Sequence, residues 1–76
     1  MVTLRIDAGR TDKLRPGDIV GALTGDAGGL PKEAIGKIDV FATRSYVAIA
    51  RTQANHALAQ LRAGKIKGRK FRVSML

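Results

Sequence analysis

Four stretches of this chain alternate apolar and polar residues with a period of two, and two stretches between them repeat apolar residues every three or four positions. Period two marks a strand with one buried face, and the longer period marks a helix with one buried stripe. Val2-Thr3-Leu4-Arg5-Ile6-Asp7 is expected to form a first strand with Val2, Leu4 and Ile6 inward. Pro16 suits the first position of a helix because it has no N–H to waste there. Asp18 puts negative charge in that helix's first turn, and Ile19, Ala22 and Leu23 share one face. The helix is short and contains Gly21, so tertiary packing must hold it. Gly25 ends it, and Gly28-Gly29-Leu30-Pro31 forms the exit.

Lys37-Ile38-Asp39-Val40-Phe41 alternates again, with Ile38 and Val40 inward. Ser45-Tyr46-Val47-Ala48-Ile49-Ala50 follows after the short connection Ala42-Thr43-Arg44, which predicts an antiparallel hairpin with Val47 and Ile49 inward. Thr52 is expected to cap a second helix, whose Ala54, Ala57, Leu58 and Leu61 fall at i, i+3, i+4 and i+7. Gly64 lies just past its end. Lys70-Phe71-Arg72-Val73-Ser74-Met75 reads as a fourth strand with Phe71, Val73 and Met75 inward. The order βαββαβ predicts an α+β fold, the ferredoxin-like split βαβ sandwich. Right-handed crossovers put both helices on one face of a four-stranded antiparallel sheet and leave the other face open. Residues 1–76 are expected to form one domain.

Charge points to the partner. The chain carries 14 Lys and Arg against 6 Asp and Glu, a net charge of +8. In residues 1–39 the six basic residues Arg5, Arg10, Lys13, Arg15, Lys32 and Lys37 are offset by all six acids: Asp7, Asp12, Asp18, Asp26, Glu33 and Asp39. Residues 40–76 hold eight basic residues and no acid, and six of those eight lie from Arg62 to Arg72. Such one-sided charge attracts polyanions, although a short basic run can also be a solvated face. Other classes drop out. Without cysteine there is no disulfide framework, thiolate metal site or cysteine nucleophile. The single His56 builds no His-rich metal site and is expected on the solvated side of the second helix. No apolar run approaches the roughly 18–20 residues of a membrane span, and no signal peptide is evident, so a cytoplasmic location is expected.

On the open sheet face, strand parity places Thr3, Arg5, Asp7, Lys37, Asp39, Phe41, Tyr46, Ala48, Lys70, Arg72 and Ser74, with Arg44 at the entrance of the third strand. A basic sheet with a central aromatic resembles the RNA-recognition motif (RRM), which stacks bases on such a face. Tyr46-Val47-Ala48-Ile49 fits the second half of that motif's third-strand signature, but Arg44 and Thr3 stand where two further stacking aromatics would be. Phosphate contact therefore gains weight over stacking. Tyr46 can stack on a base or cover apolar surface with its hydroxyl in water. Phe41, at a strand end, is expected to shield the core edge. The segment Gly64-Lys65-Ile66-Lys67-Gly68-Arg69-Lys70 offers four cations on backbone framed by glycines, either a phosphate clasp or a solvated bend. The nucleic-acid-binding candidates are Arg5, Lys37, Arg44, Tyr46, Lys65, Lys67, Arg69, Lys70 and Arg72.

Four motifs in order carry a closer resemblance: Leu14-Arg15-Pro16-Gly17-Asp18-Ile19-Val20-Gly21-Ala22-Leu23-Thr24-Gly25, Ile35-Gly36-Lys37-Ile38-Asp39-Val40-Phe41, Ser45-Tyr46-Val47-Ala48, and Gly64-Lys65-Ile66-Lys67-Gly68-Arg69. Together they resemble the C-terminal RNA-binding domain of DbpA-type DEAD-box RNA helicases over nearly the whole chain. The resemblance implies an RRM-like domain behind a two-domain ATPase core in cis. It implies binding to structured RNA, a hairpin of large-subunit ribosomal RNA, and targeting of the core to assembling ribosomes. Related helicases carry such a domain with other RNA targets, so a general RNA tether is an alternative, as is a protein-interaction appendage. This segment has no Gly-x-x-x-x-Gly-Lys-(Ser/Thr) loop and no Asp-Glu-Ala-Asp segment. ATP and Mg²⁺ are thus expected only in the helicase core, and this segment is expected to be non-catalytic, with no cofactor, small-molecule substrate or membrane of its own.

Rival readings of the topology fit less well. An acylphosphatase-like enzyme would need a placed Asn, and Asn55, the one Asn, falls on the second helix. A metal chaperone needs paired thiolates. Gly25-Asp26-Ala27-Gly28 matches the GXXG loop of KH domains, but those place it between two helices.

Overall fold

The computed structural model describes residues 1–25, 29–63, 66 and 69–76. Its elements run β1 (Val2–Ile6), α1 (Pro16–Thr24), β2 (Ile35–Val40), β3 (Ser45–Ile49), α2 (Ala54–Ala63) and β4 (Val73–Met75). The strands form one antiparallel sheet in the order β2-β3-β1-β4. Four strands with two helices in this order make the expected RRM-like split βαβ sandwich.

Period two sorts the strands as expected. Leu4, Ile6, Val47, Ile49 and Val73 are buried in one cluster with Ile19 and Leu23 of α1 and Ala54, Ala57 and Leu61 of α2. Loops and turns bring Ala8, Leu14, Leu30, Ala34 and Ile66, which follow no period, into the same core. Ser45 is also fully buried, and its hydroxyl donates to the Ala8 carbonyl at 2.7 Å. That bond satisfies a polar group that would otherwise lie unpaired in an apolar layer.

The local signals act as the residues predict at α1. Pro16 opens the helix, and the Asp18 carboxylate accepts a bond from the Arg15 N–H at 2.9 Å, which satisfies a donor the helix cannot. Three boundaries differ from expectation. Thr52 does not cap α2: the chain enters through a 3-10 turn, Arg51–Gln53, whose Gln53 N–H bonds the Ala50 carbonyl at 2.8 Å, so Thr52 lies within a turn already begun. β2 starts at Ile35 and carries a bulge: Ile35 pairs with Ile49 and Ile38 with Val47, so Gly36 and Lys37 together face Ala48. β4 starts at Val73 rather than Lys70, although the Asp7 N–H still bonds the Arg72 carbonyl at 2.9 Å. Met75 pairs with Leu4 on the helix side, yet it is partly exposed on this short edge strand.

Candidate nucleic-acid interface

The register lays one residue of each strand across the middle of the open face. Asp39 pairs with Tyr46, Tyr46 with Arg5, and Arg5 with Ser74. The Phe41 ring meets Tyr46 edge to face, with centroids 5.8 Å apart. Phe41 is 49 % exposed, so it rests on the face beside Tyr46 rather than sealing the core. Two of the cations expected here are paired with acids. Arg5 Nε lies 3.4 Å from Asp7 Oδ1, and Lys37 Nζ lies 3.8 Å from Asp39 Oδ1. Exposed pairs of this kind hold little energy, about 0–1 kcal/mol, but each cancels the field of its partner. Arg5 and Lys37 are thus each offset by a neighbouring acid on this face.

Cations are most numerous at one end of the sheet, where Ile6, Val40, Ser45 and Val73 stand. The chain after β1 runs into a 3-10 turn, Arg10–Asp12, that lies against the β2–β3 hairpin. The Arg10 N–H donates to the Phe41 carbonyl at 2.8 Å, and the Thr11 N–H and hydroxyl both donate to the Ala42 carbonyl at 2.9 Å. Gly9 permits this approach: a Cβ there would lie 2.1 Å from the Phe41 carbonyl oxygen. Asp12 reaches back to the Gly9 N–H at 3.1 Å and faces Arg69 Nη2 at 3.7 Å, which joins the lead-in of β4 to the same loop. The Arg69 guanidinium also lies 5.1 Å from the centre of the Phe71 ring.

Three segments thus converge. The hairpin brings Arg44, the loop after β1 brings Arg10, Lys13 and Arg15, and the lead-in to β4 brings Arg69, Lys70 and Arg72. Arg10, Lys13, Leu14 and Arg15 line a cleft. All seven of these cations are exposed at the surface. Ile66 is buried and exchanges two backbone hydrogen bonds with Arg69, at 2.8 and 3.0 Å. Arg62 Nε donates to the Val73 carbonyl at 3.0 Å and fastens α2 to β4.

Of the residues expected from the sequence, Arg44, Arg69, Lys70 and Arg72 come together at this end. Arg5, Lys37 and Tyr46 lie on the sheet, and Lys65 and Lys67 fall outside the described residues. Arg10, Lys13 and Arg15 stand at the same end, although the acids of the first half offset them in a count along the chain.

A family model described as the DbpA RNA binding domain matches residues 3–75. The chain belongs to the DbpA RNA-binding domain family. It is 51 % identical over all 76 residues to the ATP-dependent RNA helicase DbpA of Escherichia coli (strain K12). The chain spans 16 % of that relative's length. An RNA-binding domain of the DbpA family thus presents an aromatic sheet face, on which Arg5 and Lys37 are paired with acids, and an adjoining end rich in cations.

Proposed function

We propose that this domain binds structured RNA chiefly by neutralising phosphates with its cationic end, and so targets a DEAD-box helicase core carried in cis. The target that fits the family resemblance is a hairpin of large-subunit ribosomal RNA during ribosome assembly in the cytoplasm. ATP hydrolysis with Mg²⁺ then belongs to the helicase core, and the domain contributes binding without catalysis. The observation that carries this reading is the convergence of Arg10, Lys13, Arg15, Arg44, Arg69, Lys70 and Arg72 from three separate segments. Phosphates attract such a surface whatever the sequence, and each cation that contacts one releases counterions. Arg5, Lys37 and Tyr46 are proposed to meet the part of the RNA that passes over the sheet.

The test is a binding titration of the domain with a large-subunit ribosomal hairpin across salt. With four to six phosphates contacted, log K falls with log salt at a slope of roughly −3 to −5. A slope near zero rejects phosphate neutralisation. Equal retention of unrelated structured RNAs identifies a general tether instead of a targeting domain.

A further inference from the structure

Arg10, Lys13 and Arg15 line one cleft of about 300 Å³ in the loop between β1 and α1, with the buried Leu14 as its apolar wall. We infer that this cleft is a site for a compact polyphosphate, the phosphate chain of a free nucleotide or of an RNA 5′ end. The inference goes beyond the RNA reading above. It adds a second class of anion at the cationic end and does not require an RNA backbone to bind there.

The backbone beneath these cations is fixed by hydrogen bonds. The Asp12 and Leu14 N–H groups donate to the Gly9 carbonyl at 2.9 and 3.2 Å, and the Lys13 N–H donates to the Arg10 carbonyl at 2.9 Å. Arg10 and Thr11 are tied to the hairpin, and the Arg15 N–H to the Asp18 carboxylate. A fixed turn keeps three cations together despite their mutual repulsion, and little order is lost when an anion binds. Lys13 adds a second observation. Among the described residues it is the non-glycine residue with a positive φ, 60° with ψ 27°. Glycine adopts this left-handed conformation without steric cost and lysine does not. A lysine standing where glycine fits better places an ammonium group on the cleft with strain in its backbone, a pattern typical of ligand sites.

Charge density selects the anion. In an RNA backbone each phosphate carries one charge and a sugar separates it from the next. In a polyphosphate, neighbouring phosphates share a bridging oxygen, so several charges enter a space that admits one phosphodiester. Two arginine forks and an ammonium group can then each engage a phosphate oxygen of the same chain. The acids beside the cleft are already engaged: Asp12 accepts from the Gly9 N–H and faces Arg69, and Asp18 accepts from the Arg15 N–H.

Isothermal titration calorimetry with sodium tripolyphosphate and with inorganic phosphate, at low salt and without magnesium, provides the test. Tripolyphosphate is expected to bind roughly tenfold more tightly than phosphate, because it makes further charge-assisted hydrogen bonds. Arg10→Gln combined with Arg15→Gln is expected to abolish that preference. Lys32→Gln combined with Arg51→Gln removes the same charge from exposed residues of two other turns and is expected to preserve it. Lys13→Gly relieves the positive φ, so the fold is expected to persist while tripolyphosphate binding falls several-fold. Circular dichroism verifies the fold of each variant. Two further titrations separate the sources. ATP binding like tripolyphosphate identifies a free nucleotide. A hairpin with a 5′-triphosphate binding more tightly than the same hairpin with a 5′-hydroxyl, and losing that advantage in the Arg10 and Arg15 variant, identifies an RNA end. Absence of both responses overturns the inference, as does equal affinity for phosphate and tripolyphosphate or equal loss in the two double variants. Tripolyphosphate selectivity without hairpin binding overturns the RNA reading and leaves this site standing, and hairpin binding without that selectivity does the reverse.

Discussion

Arg69 Nη2 stands 3.7 Å from Asp12 Oδ1, which holds the lead-in of β4 against the loop that follows β1. The ion pair is partly exposed and adds little stability. Its consequence is positional: it brings basic residues of the acid-free second half of the chain beside Arg10, Lys13 and Arg15 of the electrically neutral first half.

Lys70→Gln combined with Arg72→Gln tests the cationic end directly. Both residues are exposed, so the melting temperature stays within the error of wild type. RNA affinity is expected to fall by about 1–3 kcal/mol, and the salt slope to lose about 2 in magnitude. An unchanged slope in the titration would move the phosphate contacts away from β4.

Tyr46 separates stacking from covering. Tyr46→Phe keeps the ring and the contact with Phe41, and is expected to leave RNA affinity unchanged. Tyr46→Ala removes the platform and is expected to weaken binding by about 1–3 kcal/mol. If both variants bind like wild type, the ring serves only to cover the sheet.

Gly9→Ala should be strongly destabilising. Its Cβ would lie 2.1 Å from the Phe41 carbonyl oxygen and 2.8 Å from the Ala42 carbonyl carbon and oxygen, all backbone atoms that no rotamer change can move. A loss of about 2–3 kcal/mol is expected in denaturant unfolding. Because the same crossing positions Arg10 against the hairpin, RNA affinity falls too at temperatures where the variant remains folded.

Gly21→Ala has the opposite sign. Gly21 lies inside α1 on its exposed side, and a Cβ there meets nothing within 4 Å. Alanine restricts the unfolded chain and favours the helix, so stability is expected to rise by about 0.5–1 kcal/mol. A lower melting temperature would show that the exposed side of α1 has a neighbour.

The alternation of Leu4, Ile6, Val47, Ile49 and Val73 and the helical spacing of Ala54, Ala57 and Leu61 were legible because period alone decides which side of an element meets the core. The Thr52 cap, the bulge at Gly36-Lys37 and the late start of β4 were not. Each depends on hydrogen bonds to partners elsewhere in the chain, such as the Ala50 N–H on the Ala34 carbonyl. The burial of Ile66 inside a basic run escaped the pattern for the same reason, since one apolar residue among cations has no period to reveal it.

For the interface, the sequence by itself determined that the chain is strongly cationic, that the acids stop at Asp39, and that Arg5, Asp39 and Tyr46 share the open face, because charge is additive and strand parity is local. Only the tertiary structure decided that Asp7 and Asp39 neutralise Arg5 and Lys37 while Arg10, Lys13 and Arg15 reinforce Arg44, Arg69, Lys70 and Arg72. Electrostatic fields depend on distance in space, and that distance is set by register, a glycine crossing and a turn joining segments far apart in the chain.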